Sequence, residues 1–458
     1  MNRQSDDVLA GTGMSDSGLT RRAFLKNCAI LGGATSLTPS LLWAGAQPKV
    51  KPNIVFILTD DQLREAFGCY GNEEALTPNV DRLAAGGVRF TRASVTSSVC
   101  APSRISCLTG RYAGRFMAYV LNTGAHLPVT EPTVASVLKA AGYRTGFIGK
   151  VHFRLDGLRG VPTKDLQRRL GRIGFTSVPS AHYTRFKTGD HLKHQEKDFN
   201  AAAKFITDHK DSPFALFLFT TLTHGPTEAP QKYIDMVTTR RGNRTGKAMY
   251  LWLDHLVGRL VGTVDKMGIR DRTAIFYAGD NAPSGRGKGS RNKGTLYDGW
   301  VPQVVSWPGH VKEGLVVDEV VQNIDFLPTV LDICGAAAPA GARPDGMSLL
   351  PLMTGKNVTW REEAFFEVES GRAVRTDQWK YIAFRPVKGM WRKFEKQLGA
   401  YGGERDLLFD LKSDPGEKKN LFKDAAHAGA VKEMQARLRR LCAGYGYAFG
   451  EFGGGGST

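Results

Sequence analysis

The chain has 458 residues, 41% hydrophobic and 23% charged, the proportions of a folded globular protein, which exclude a collagen-like or mainly disordered chain. That length holds one large domain with a smaller one, or two to three domains of ordinary size. The 62 Lys and Arg against 44 Asp and Glu give a formal charge of +18, which suits a nucleic acid, an anionic surface or an acidic substrate and does not choose among them.

The first feature in the chain is Thr20-Arg21-Arg22-Ala23-Phe24-Leu25-Lys26, followed by a mildly apolar stretch from Asn27 to Trp43 and then Ala44-Gly45-Ala46. Paired arginines, a weak apolar region broken by Gly32, Gly33 and Pro39, and small residues before a cleavage point make residues 1–46 an export signal. The twin arginine marks the bacterial machinery that exports folded proteins. Gly, Ser, Thr and Asn interrupt the stretch too often for the ~18 consecutive apolar residues a membrane span needs. The mature chain is therefore expected to be periplasmic or extracellular, with no membrane anchor. Met14 is an alternative start. Cys28 leaves with the signal, and the remaining Cys69, Cys100, Cys107, Cys334 and Cys442 are an odd set at irregular spacing. They form neither a disulfide framework nor a zinc pattern, so at least one needs a separate explanation.

Past the signal, short apolar runs alternate with helix-like segments, the pattern of an α/β fold with a large, mostly parallel sheet covered by helices on both faces. The runs are Asn53 to Thr59, Tyr143 to Ile148, Phe214 to Phe219 and Thr273 to Ala278, with Val301 to Trp307 as a fifth. Met249, Leu253, Leu256, Val257, Leu260 and Val264 recur at helical spacing and predict a helix packed on that sheet. The first four runs end in polar clusters: Asp60-Asp61, Gly149-Lys150-Val151-His152, Thr223-His224-Gly225-Pro226 and Gly279-Asp280-Asn281. Ligands of open α/β sheets bind beyond the carboxyl ends of the strands, so these four clusters are expected to converge. Between the second and third strands, residues 153–198 are strongly basic and are read either as a wall of the substrate entrance or as a solvated surface. After about Gly355 the pattern becomes short alternating strands, at Ala364–Val368, Arg372–Arg375, Lys380–Phe384 and Leu407–Leu411, and then a helix from Ala428 to Leu441. These divide the chain into a catalytic α/β domain over 47–355, a small α+β domain with an antiparallel sheet over 356–450 and a flexible Gly-rich tail over 451–458.

The stretch Cys100-Ala101-Pro102-Ser103-Arg104-Ile105-Ser106-Cys107-Leu108-Thr109-Gly110-Arg111 resembles the signature of the formylglycine-dependent sulfatases, C-x-P-S-R followed by a helix ending L-T-G-R. The resemblance runs from about Pro52 to Leu421 and implies an alkaline phosphatase-like fold. It further implies that a formylglycine-generating enzyme oxidises Cys100 to an aldehyde, 3-oxoalanine. Asp60, Asp61, Asp280 and Asn281 match the family's metal-binding pairs. With an oxygen of the modified Cys100 they imply one hard divalent ion, Ca²⁺. Arg104, Lys150, His152, His224 and Lys293 match its remaining catalytic positions. Lys150 and Lys293 would hold sulfate oxygens, His152 would act as base, and His224 would protonate the leaving alkoxide. Asp280-Asn281-Ala282-Pro283 lacks the glycine often found after that pair in the family.

The reading that follows is a sulfatase acting on a sulfated small molecule or polysaccharide, with a sulfated glycan favoured by export and basic charge. A phosphodiesterase or phosphonate monoester hydrolase of the same superfamily is the nearest alternative, and a non-catalytic binder of sulfated polymers is a second. No nucleic-acid module is present, and export removes the chain from the genome. His182, Arg185, His194 and Trp391 are the residues singled out, from position and type, for recognition of the sugar.

Overall fold

The computed structural model describes residues 50–116, 125–155, 163–183, 189–238, 243–283, 295–296, 300–339, 343–385, 399 and 402–446. The export segment, the Gly-rich tail, and Arg185, Lys293 and Trp391 lie outside them. Among the described residues ten strands precede residue 330: β1 (Asn53–Thr59), β2 (Val88–Ser94), β3 (His126–Leu127), β4 (Arg144–Lys150), β5 (Arg154–Leu155), β6 (Ser177–His182), β7 (Phe214–Phe219), β8 (Thr273–Gly279), β9 (Gln303–Ser306) and β10 (Leu315–Gln322). Eight of them form one sheet in the order β10-β2-β9-β8-β1-β7-β4-β6, while β3 and β5 make a short separate pair.

β1 is at the centre because every residue in it is buried and both of its faces are apolar. Side chains alternate across a strand, so Ile54, Phe56 and Leu58 enter one core with Ile105, Leu108, Val134, Leu138 and Phe326. Val55 and Ile57 enter the other with Val80, Leu83, Phe199, Trp252, Leu256 and Leu260. Helices therefore cover both faces. The predicted helix runs from Arg244 to Lys266, begins where the Asn243 side chain accepts from the Gly246 N–H at 3.1 Å, and buries its expected apolar positions.

β1 pairs in parallel with β7 and β8, and β4 with β7 and β6. This brings the carboxyl ends of β1, β4, β7 and β8 to one edge. The fifth predicted run does form a strand, but β9 is antiparallel to both β8 and β2. An apolar run carries no record of strand direction. β2, β6 and β10 were not anticipated: β6 and β10 are the two edge strands, and all three mix buried with half-exposed residues.

Beyond residue 360, β11 (Ala364–Val368), β12 (Gly371–Arg375), β13 (Trp379–Phe384) and β14 (Asp406–Asp410) form an antiparallel sheet in chain order. Met434, Leu438 and Cys442 of the Ala428–Gly444 helix pack on one face of it, against Phe365, Val374, Tyr381 and Leu408. The opposite face, through Val368, Ala373, Ile382 and Phe384, packs against Val99 and Leu296. Val99 precedes the nucleophile motif directly, so the small sheet helps to seat it. Among the described residues no helix is long and apolar enough to cross a membrane.

Candidate active site

The C-A-P-S-R segment opens a helix, Cys100–Thr109, in which every residue is buried. The helix stops at Gly110, where φ is 64° and a Cβ would press on Leu327 and Pro344 at 3.0 and 3.2 Å. Cys100 is its first residue, and its Sγ lies 3.3 Å from Asp60 Oδ1. One turn later Arg104, also fully buried, extends to three strand ends. Its guanidinium meets Asp60 Oδ2 at 3.2 Å and Asp280 Oδ2 at 2.8 Å, and donates to the Lys150 carbonyl at 3.0 Å. Burial alone would disfavour the cation, yet Asp280 and Asp60 hold the Arg104 pKa above its ordinary value.

Four ligand atoms, one each from Asp60, Asp61, Cys100 and Asp280, lie within 4.8 Å of one another. The Lys150 Nζ donates to Asp60 Oδ2 at 2.5 Å. Asn281 donates through Nδ2 to Asp61 Oδ1 at 2.5 Å, and the Asp61 N–H donates to Asp280 Oδ1 at 3.2 Å. The amide oxygen of Asn281 is buried and meets no donor among the described residues. A buried acceptor of this kind calls for a partner, and it sits on the residue that closes the acidic group.

The site has a buried floor of Asp60, Cys100, Arg104, Lys150, Asp280 and Asn281, and Asp61, His152 and His224 are half-buried. Asp61 and His152 both occupy left-handed backbone, at φ 56° and 61°, a costly conformation for residues other than glycine that tends to collect at functional sites. Gly149 has φ 106°, and a Cβ there would meet the Phe219 carbonyl oxygen at 2.3 Å. This explains the glycine that opens Gly149-Lys150-Val151-His152. His224 lies with Nε2 3.6 Å from Asp61 Oδ2 and Nδ1 2.8 Å from the Gly225 carbonyl. A carbonyl only accepts, so Nδ1 carries the hydrogen.

The four strand-end clusters thus converge as expected. Of the residues singled out for recognition, His182 ends β6 beside Lys150 and contacts buried Asp198 through Nε2 at 3.1 Å. The His194 ring centroid lies 6.4 Å from that of His182. Gln62 was missed. It is buried, accepts from the Thr59 and Tyr277 hydroxyls at 2.7 Å each, and its N–H donates to the Asn281 carbonyl at 2.9 Å, joining the two acidic turns. Among the described residues the five cysteines Cys69, Cys100, Cys107, Cys334 and Cys442 form no disulfide. Burial pushes the Cys69, Cys107, Cys334 and Cys442 thiols up to about 12, which keeps them protonated and unreactive. Cys100 contributes its Sγ to the cluster with Asp60, Asp61 and Asp280.

The Sulfatase family model matches residues 52–336, and the model for the N-sulphoglucosamine sulphohydrolase C-terminal region matches residues 293–444. Arylsulfatase A of Homo sapiens is 32% identical over 472 residues, covering 90% of this chain and 90% of its own length. N-acetylgalactosamine-6-O-sulfatase of Bacteroides thetaiotaomicron is 26% identical over 491 residues, covering 86% of this chain and 94% of its own. Among solved structures, one in complex with its substrate D-glucosamine-2-N,6-O-disulfate has a TM-score of 0.65 at 20% identity, over 86% of this chain and 98% of that one. Phosphonate monoester hydrolase of Agrobacterium radiobacter gives 0.67 at 20% identity, over 86% and 96%. At those identities the likeness is one of fold.

Proposed function

Because the chain belongs to the sulfatase family, and is by that a sulfuric ester hydrolase, we propose that it removes sulfate from a sulfated carbohydrate using a formylglycine made from Cys100 and one bound Ca²⁺. The observation that carries this reading is the first turn of the Cys100–Thr109 helix, which sets Cys100 among three carboxylates and next to two buried cations.

Asp60, Asp61, Asp280 and Asn281, with an oxygen at position 100, would hold the ion, and the buried Asn281 oxygen, without a donor among the described residues, supports this choice. A thiol is a soft ligand among hard ones, so exchanging sulfur for oxygen at position 100 makes the donor set uniform for an alkaline-earth ion. The bound ion supplies positive charge against the sulfate oxygens. A formylglycine at position 100 would, as its hydrate, supply a nucleophilic hydroxyl and a second one through which sulfate could be released.

The chain's own residues do the rest. Arg104 fixes the turn behind position 100 and pairs with Asp60 and Asp280. Lys150, with Lys293 outside the described residues, binds sulfate oxygens as their charge grows. His152 would serve as the base for the second hydroxyl. His224, with Nδ1 committed to the Gly225 carbonyl, gives a proton to the leaving alkoxide from Nε2.

A carbohydrate substrate is supported by relatives named for sulfated sugars and by the basic charge of the chain. Export by the twin-arginine machinery follows from Thr20 to Lys26. Since that machinery carries folded chains and Cys100 is buried once the chain folds, the formylglycine-generating enzyme acts first, on the unfolded chain in the cytoplasm. Parallel assays on 4-nitrophenyl sulfate and bis(4-nitrophenyl) phosphate test the reaction class. The sulfate ester is expected to be cleaved with higher kcat/KM, and preference for the diester would move the protein to the phosphonate and phosphodiester branch.

A further inference from the structure

The His191–Asp208 helix enters β7, and its buried face changes character along its length. Phe199, Ala202, Phe205 and Ile206 join the apolar core. His191, Gln195 and Asp198, spaced i, i+4 and i+7 on the same face, are polar and fully buried. Burying three such groups is costly unless each is bonded, so their partners identify their purpose.

Gln195 Oε1 accepts from the Thr220 hydroxyl at 2.6 Å, and its Nε2 donates to Thr221 Oγ1 at 2.5 Å. His191 Nε2 lies 3.1 Å from the same Thr221 oxygen. Burial, with His224 and His182 next in effect, pushes His191 down to about 4. A neutral ring can accept at Nε2, and the donors then run in one direction, from Thr220 to Gln195, to Thr221, to His191.

Thr220 and Thr221 follow β7 directly and begin the turn that carries His224. The Leu222 N–H donates to Thr220 Oγ1 at 3.1 Å, and the His224 N–H to the Thr221 carbonyl at 2.8 Å. The other side of the turn is tied to the first acidic pair, since Asp60 N–H donates to the Leu222 carbonyl at 2.8 Å and Thr223 N–H to the Asp60 carbonyl at 2.7 Å. One edge of the turn is fixed to Asp60 and the opposite edge to the helix.

We propose that Gln195 and His191 are positioning residues for His224, setting where its imidazole meets the leaving oxygen of the substrate. This rests on the reading of His224 as the proton donor to the leaving group. A misplaced acid harms a substrate in proportion to how much its leaving group needs a proton. Phenyl sulfate and 4-nitrophenyl sulfate differ mainly in that need.

Gln195→Ala and Thr221→Val are each expected to lower kcat/KM on phenyl sulfate about tenfold and on 4-nitrophenyl sulfate by less than about twofold. Thr221→Ser, which keeps the hydroxyl, is expected to restore both rates. Equal losses on the two esters, or none on phenyl sulfate, would overturn the proposal. His224→Ala separates the two levels. If it shows no split between the esters, the reading of His224 fails; if it splits them and the Gln195 and Thr221 variants do not, only the bracing role fails. Should Gln195→Ala not fold, the Thr221→Val and Thr221→Ser pair decides alone.

Discussion

Arg104 is the residue on which the buried floor depends, and Arg104→Met removes its charge while keeping an unbranched side chain against the Phe219 ring, 5.4 Å from the guanidinium. In the native chain the guanidinium contacts Asp60 at 3.2 Å and Asp280 at 2.8 Å, all three groups being fully buried. At an effective dielectric constant of about 20, each contact represents roughly 5 kcal/mol of gross Coulomb attraction, most of it offset by desolvation. What the substitution exposes is the uncompensated anion, which costs about 3–5 kcal/mol when one partner of a buried pair is removed. Lys150 still holds Asp60 at 2.5 Å, so the loss falls mainly on Asp280 and belongs at the lower end of that range. A divalent ion bound among the carboxylates would replace the missing charge, and would do so more effectively without Arg104 repelling it. Urea unfolding of both proteins, with Cys100 left as the thiol, measures this in EDTA and again in excess Ca²⁺. The variant is expected to be less stable by about 3 kcal/mol in EDTA, with the gap narrowing in Ca²⁺. An unchanged midpoint in EDTA, or a gap that widens in Ca²⁺, would refute the electrostatic account of the floor.

Two further outcomes follow from the same geometry. Chelation of the converted enzyme should abolish sulfatase activity, and Ca²⁺ should restore it without refolding; activity that survives exhaustive chelation would remove the metal from the site. Precursor that still bears its signal, isolated from the cytoplasm, should already lack the thiol at Cys100, because the residue is inaccessible after folding. Precursor found only as the thiol, with aldehyde confined to the exported form, would place conversion after export.

The central strands were legible because β1, β7 and β8 are buried on both faces and therefore appear as unbroken apolar runs. β6 and β10 lie at the sheet edges, where half-exposed residues break the pattern, and Ser-Val-Pro-Ser-Ala-His reads more naturally as a turn than as a strand. The acidic and cationic residues of the site were found because a strand end concentrates polar residues at fixed sequence offsets. Arg104 was matched by motif alone, and its contacts with three separate strand ends are tertiary and invisible in the chain. Gln62, Gln195 and His191 were missed for a similar reason. A buried polar side chain bonded to residues distant in the chain looks in sequence like an ordinary surface residue. The one available signal was the spacing of His191, Gln195 and Asp198, which continues into Ala202 and Phe205 and so marks a polar stretch on an inward face.

The account depends most on the chemical state of Cys100 in working enzyme. Mass spectrometry of the peptide containing Cys100 to Arg104, taken from protein shown to release sulfate, reads that state directly. The prediction is an aldehyde at position 100, trapped by a carbonyl reagent, in a fraction that scales with specific activity across preparations. Full activity with an intact, alkylatable thiol at Cys100 would contradict the proposed nucleophile.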